Sequence, residues 1–166
     1  NTLGGDASLA QSGLVAGKEN AVFMIPNGTS AAGLRAANNA FSGGVASIAH
    51  TSALPTVSSV VVLDAQKQPG WASAPIVELN GTNAGASTSA LTLTAGSSVV
   101  RGLVINRFTA SGIVLSTAGG NTVAGCYIGT NAAGTSASAN ASLGVYVNNV
   151  ASNTIGGTTS ADRNVI

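Results

Sequence analysis

The sequence predicts an all-β chain wound into a parallel β-helix, a solenoid in which each turn of the chain stacks strand upon strand on the last. Three observations lead there. Short runs rich in Val, Ile, Leu and Thr recur from about Phe41 onward between clusters of Gly, Asn and Ser, the pattern of strands and turns and not of helices. Segments also repeat: SSVVRGLVINRF from Ser97 aligns with GNTVAGCYIGTN from Gly120 and SNTIGGTTSADRNVI from Ser152, and SALTLTA from Ser89 aligns with SGIVLST from Ser111 and LGVYVNN from Leu143. Finally, Ala, Ser, Thr and Gly fill 87 of the 166 positions, so a core of large side chains is not expected. A narrow interior in which like stacks on like at ~4.8 Å accepts small residues.

The elements follow in order. Residues 1–43 read as an irregular N-terminal cap. Its first twenty residues are polar, AVFMIP at Ala21 to Pro26 is one early strand ended by proline, and SAAGLRAANNAF from Ser30 has the spacing of a short helix. Residues 44–166 read as the stacked turns, with strands at Val45 to Ala49, Val60 to Asp64, Pro75 to Asn80, Leu91 to Ala95, Val99 to Asn106, Gly112 to Ser116, Thr122 to Ile128, Gly144 to Asn148 and Thr154 to Ile155. Leu91 and Leu93 flank Thr92, and Val145 and Val147 flank Tyr146, so one face looks inward and the other outward. Leu91 to Ile113 is 22 residues and Ile113 to Val145 is 32. The difference is a loop inserted at about 131–142. Asn106, Asn121, Asn148, Asn149, Asn153 and Asn164 are the candidate corner residues, because Asn tolerates left-handed backbone angles and stacked Asn side chains hydrogen-bond along the axis.

Composition excludes several roles. Six Lys+Arg against five Asp+Glu, a net charge of +1, give no footprint for nucleic acid. No apolar run approaches the ~20 residues a membrane-crossing helix needs, so no membrane insertion is expected. A 45% hydrophobic content and a mean hydropathy of +0.38 argue for a folded chain. The single cysteine, Cys126, reads as a buried apolar thiol and excludes an internal disulfide framework and a Cys-based zinc site. His50 is the only histidine. No metal or cofactor is expected.

Together, FMIPNGTS and VASIAHTSALPTVSSVVVLDAQKQPGWASAPIVELNGTNAG, followed by GLVINRF at Gly102 to Phe108, YIGTNAAGTSA at Tyr127 to Ala137 and SNTIGGTTSADRNVI at Ser152 to Ile166, resemble secreted bacterial right-handed parallel β-helix repeat proteins of the pectate-lyase-like fold. Those proteins commonly carry an F-x-I-P strand, an A-L-P, a strand ending in Ile-Asp-Gly, a T-Q-P-G turn and P-x-x-E-L-D-G-x-N-A-G. The likeness covers roughly residues 21–166. It departs at Ala65 and Lys67, where Gly and Thr are usual, and at Asn80 and Asn131, where Asp is frequent. The resemblance implies the right-handed fold and a secreted or cell-surface setting, and Asn1 in place of Met is compatible with a removed leader. It does not imply a reaction.

Catalysis must be weighed on residues. A glycosidase needs two convergent carboxyl groups, and Asp64 and Glu78, on consecutive expected strands, are the only credible pair. The preferred alternative has Asp64 capping the Gln66 to Gly70 turn and Glu78 as an exposed strand residue. A cation-dependent lyase needs clustered acids beside a base. The sequence has no such cluster, and Arg101 and Arg107 read as long stems lying over the outer face. Trp71, Tyr127 and Tyr146 could stack on sugars, but packing or turn roles are the plainer reading. Asn27, Asn80 and Asn140 fall in N-x-S/T sequons, as chance allows in so Asn-rich a chain.

The expected function is therefore a non-catalytic extracellular structural module with a scaffold, adhesion or matrix role. It would self-associate end to end through Arg163, Asn164, Val165 and Ile166, where no cap is evident and unpaired strand edges need cover, or continue into a longer chain. Polysaccharide or cell-surface components are the other expected partners. The alternatives are a carbohydrate-active enzyme, a polysaccharide lyase or glycosidase using Asp64 and Glu78, and a carbohydrate-binding module using Trp71.

Overall fold

A computed structural model describes Val15, residues 18–27 and residues 41–166. The expected cap helix from Ser30 lies, Phe41 apart, outside the described residues. Among the described residues thirteen strands run in order: β1 Glu19–Val22, β2 Phe41–Ser42, β3 Val45–Ala49, β4 Val61–Asp64, β5 Val77–Asn80, β6 Leu91–Leu93, β7 Val99–Arg101, β8 Leu103–Asn106, β9 Ile113–Leu115, β10 Thr122–Ala124, β11 Tyr127–Ile128, β12 Val145–Val147 and β13 Thr154–Ile155. Single turns of 3-10 helix form at Ala65–Lys67 and Ser160–Asp162.

The strands make three sheets. The first has the order β1-β4-β7-β10-β13, the second β11-β8-β5-β3-β2, and the third β12-β9-β6. The segments that align in the sequence lie side by side. Leu91 pairs with Ile113 and Ile113 with Val145 in the third sheet, and Val99 pairs with Thr122 and Thr122 with Thr154 in the first. Because register repeats the residue type, apolar side chains form files: Ile48, Leu79, Ile105 and Ile128 in the second sheet, and Leu63, Val100 and Val123 in the first. Leu103, Ile105, Ile113, Leu115 and Val123 are wholly buried, and each such aliphatic side chain contributes roughly 1.5–3 kcal/mol. Phe108, the fully buried aromatic among the described residues, fits because Gly81 faces it: a Cβ there would stand 2.4 Å from Phe108 Cγ.

The expected architecture, a right-handed parallel β-helix solenoid, is corrected here. The described residues are mostly β, but their strands form three separate sheets, none closed, and the second is mixed: β2 runs antiparallel to β3, with Phe41 opposite Ala46 and Ser42 opposite Val45. The physical reason is local. Gly43 and Gly44 both adopt left-handed backbone, φ +59 and +84, the requirement of a two-residue hairpin turn of the type whose twist matches the strands it joins. The chain therefore reverses at the point where the stacked turns were expected to begin.

Side chains at the corners knit neighbouring strands together. The Val61 amide donates to Ser98 Oγ (3.1 Å), the Ser98 amide to Asn121 Oδ1 (3.0 Å) and the Asn121 amide to Asn153 Oδ1 (3.0 Å). Asn164 does the same for Cys126 (2.9 Å) and Asn140 for Phe108 (3.0 Å). Such buried amide groups need partners, and the asparagines supply them. Of the expected corner residues, Asn148 and Asn149 do not join these files; they are exposed, and Asn149 donates only to Asn148 Oδ1 (3.4 Å). Asn140, which reads as a chance sequon, is buried and also donates to Ile105 O.

Candidate functional site

Asp64 ends β4 and begins the turn Ala65–Lys67. Its Oδ1 accepts from the Gln66 amide at 2.9 Å, capping that turn, as short acidic side chains do at helix starts. Glu78 lies in β5, in a different sheet, and it is not the exposed strand residue that alternation suggests: it is 8% exposed. Its Oε1 accepts from Asn106 Nδ2 at 2.8 Å and from Arg107 Nη1 at 3.2 Å. Burial pushes the Glu78 carboxyl up, but hydrogen bonds from Ser47 and Asn106 and the Arg107 guanidinium outweigh it and hold the group below its ordinary value. Asp64 and Glu78 thus have separate partners in separate sheets, and their hydrogen bonds do not join them into one site.

Arg107 is more than a stem lying over the surface. It occupies left-handed backbone, φ +60, which costs a residue with a Cβ. From there Nη1 also reaches Asn106 Oδ1 (3.0 Å), while Nη2 reaches Ser138 Oγ (3.3 Å). The guanidinium therefore pins β5 and β8 to the inserted loop. That loop is built around Asn131, whose Oδ1 accepts from the Thr135 amide at 2.9 Å, and a bridge between Thr130 and Ala137 closes its base. Arg101 is paired too, its Nη2 lying 3.8 Å from Asp162 Oδ1.

The cleft that Trp71 lines includes neither Asp64 nor Glu78. Trp71 lines this small cleft of about 30 Å³ together with Gln66, Ser73, Tyr127, Ser160 and Arg163. Two glycines make room beside it. Gly102 and Gly125 have left-handed backbone, and a Cβ on either would strike Gln66, 2.6 Å from its Cγ at Gly102 and 2.8 Å from its Nε2 at Gly125. The Gln66 side chain runs on to the Ala161 carbonyl (3.4 Å). The Trp71 indole Nε1 is buried without a hydrogen-bond partner. Sequence reasoning singled out Trp71 but missed Arg163 and Gln66 as its neighbours in the cleft. No local signal links Trp71 to Arg163, 92 positions away; Gln66 is only five residues off, but its role depends on the cleft wall that distant segments build.

The expected assembly end divides. Asn164 and Val165 are bound to the β10–β11 segment, Asn164 through Cys126 and Val123, and Val165 through the Cys126 carbonyl (2.9 Å), the Ile128 amide (2.8 Å) and a bridge to Tyr127. Arg163 is exposed, and Ile166 is 65% exposed, with Tyr146, Val147 and Ile155 also exposed on β12 and β13. Tyr146 thus lies on the surface of its strand, not in the packing. Among the described residues no three His, Cys, Asp or Glu side chains group as metal ligands, and no helix is long and apolar enough to cross a membrane. No family model, curated protein or solved structure matches the chain.

Proposed function

We propose that the protein is a non-catalytic structural module of a scaffold, adhesion or matrix kind, working outside the cell or at its surface. One observation carries the reading: the polar side chains best suited to chemistry are engaged in holding strands and turns together. Glu78 is held by Asn106 and Arg107, Asp64 caps a turn, and Asn121, Asn140, Asn153 and Asn164 serve backbone amides. Groups so committed confer rigidity, which a scaffold needs.

The apolar side chains on β12, β13 and Ile166 support self-association through that face, since exposed apolar surface beside open strand edges favours pairing with another chain. Light scattering and negative-stain microscopy of the chain test this. Concentration-dependent filaments or stacked particles, reduced by Val147→Lys, are expected. A monodisperse monomer at high concentration would remove the assembly part of the reading, and turnover of neutral or acidic polysaccharides lost on Asp64→Asn would remove the rest.

A further inference from the structure

We infer that the partner taken by the exposed face of β12, β13 and Ile166 is the opposite end of a second copy of this chain, whose β1 adds in parallel beside β13; the inference rests on the self-association reading above. The apolar side chains on that face are the ends of core files. Ile155 follows Leu63, Val100 and Val123 in the first sheet, and Val147 follows Leu93 and Leu115 in the third. Ile166 comes after Val165, which is bridged to Tyr127, as Ile128 comes after Tyr127. Val100, Val123, Leu93, Leu115 and Ile128 are at most 1% exposed, whereas Ile155, Val147 and Ile166 are 42%, 41% and 65% exposed. Three apolar files thus reach solvent along one edge, and covering them is favoured.

Hydrogen bonding decides which surface fits. Glu19, Val61, Ser98, Asn121 and Asn153 share one register position from β1 across to β13. In that row the Val61, Ser98 and Asn121 amides are each met by the side chain one strand further along, from Ser98, Asn121 and Asn153 in turn. The Asn153 amide ends the row, and among the described residues it donates to nothing. Glu19 opens the row at the other end of the sheet. It is exposed, its carboxylate can only accept, and among the described residues no strand lies on the outer side of β1. Continuing the register places Glu19 of a second copy at the Asn153 amide and Ala21 against Ile155. Charge agrees, because Glu19 at one end and Arg163 at the other both lack an ion pair among the described residues, so unlike ends attract. Such a head-to-tail contact does not close on itself and builds a filament.

Asn20, Val62, Val99, Thr122 and Thr154 share the next row, so Asn20 of one copy would adjoin Thr154 of another. The native cysteine, Cys126, is buried and leaves introduced thiols to report. Chains carrying Asn20→Cys and Thr154→Cys are treated with oxidised glutathione, separately and mixed, at concentrations where light scattering shows wild type assembled. A disulfide-linked dimer in the mixture, and in neither chain alone, is expected. Without any added cysteine, Glu19→Ala is expected to weaken association about tenfold at an unchanged urea midpoint, through loss of one charge-assisted hydrogen bond, and Glu19→Gln less, since its amide oxygen still accepts. Thr154→Cys linking to itself as readily as in the mixture means that like ends meet and overturns the inference. Assembly that persists with no link in the mixture, or that is indifferent to Glu19→Ala, also overturns it and leaves the self-association reading standing. A wild type that never assembles removes both.

Discussion

Glu78 shows how a single residue can mislead a reading of alternation and still be understood physically. Val77 and Leu79 point to the core, so Glu78 faces outward, but Ser47, Asn106 and Arg107 gather around it and bury it. Its folded-state pKa lies below the ordinary value of 4.5. The stability it contributes is therefore present above that value and is lost as pH falls through the lower folded value. Urea denaturation across acid pH should show wild type losing stability in that window while Glu78→Gln changes less. At neutral pH, Glu78→Ala should cost about 1–3 kcal/mol, because Asn106 Nδ2 and Arg107 lose their acceptor. Cys126 gives the complementary case. It is fully buried, and burial pushes its thiol up to about 11. A thiol reagent at pH 8 should not label the folded protein and should label it at once in urea, since the thiolate is the reactive form.

At the scale of elements, stability is concentrated where adjacent strands approach at their corners. A Cβ on Gly119 would stand 1.9 Å from the Ala151 carbonyl oxygen, and one on Gly96 would stand 2.4 Å from the Gly119 oxygen. Gly119→Ala should therefore unfold the protein at markedly lower urea, by about 2–4 kcal/mol, because backbone and not a flexible side chain must move. Asn121→Ala should cost about 1–3 kcal/mol, since it strips the Ser98 amide of its acceptor and removes the bonds to Ala118 and Asn153. Asn148→Ala, on an exposed residue outside those files, should stay within about 0.5 kcal/mol. The same denaturation series checks all three. Strand positions were legible in the sequence because alternation and turn residues are local. Which asparagines bridge was legible only in part: Asn121 and Asn153, which align in the sequence just before their strands, stack and bond, whereas Asn148, just after its strand, is exposed.

For the molecule as a whole, pairing joins residues far apart in the chain: Glu19 with Val61, Val62 with Val99, Thr122 with Thr154. Loop closure must precede these contacts, so refolding should fall at the slow end of small domains, in milliseconds to seconds or longer. Stopped-flow refolding from urea checks this, and a microsecond phase carrying the whole amplitude would contradict it. By itself the sequence determined a β-rich chain and the alignment of Leu91, Ile113 and Val145, because periodicity acts within a few residues; the expected core without large side chains was not found, since Leu, Ile, Val and Phe108 fill it. Tertiary structure alone decided the rest. The antiparallel entry at Gly43 and Gly44 changed the architecture, Arg107 found Glu78, and Gln66, Trp71 and Arg163 came to line one cleft. Those outcomes depend on which distant segments lie side by side, and hydrogen bonding and charge act on that distance and not on separation along the chain.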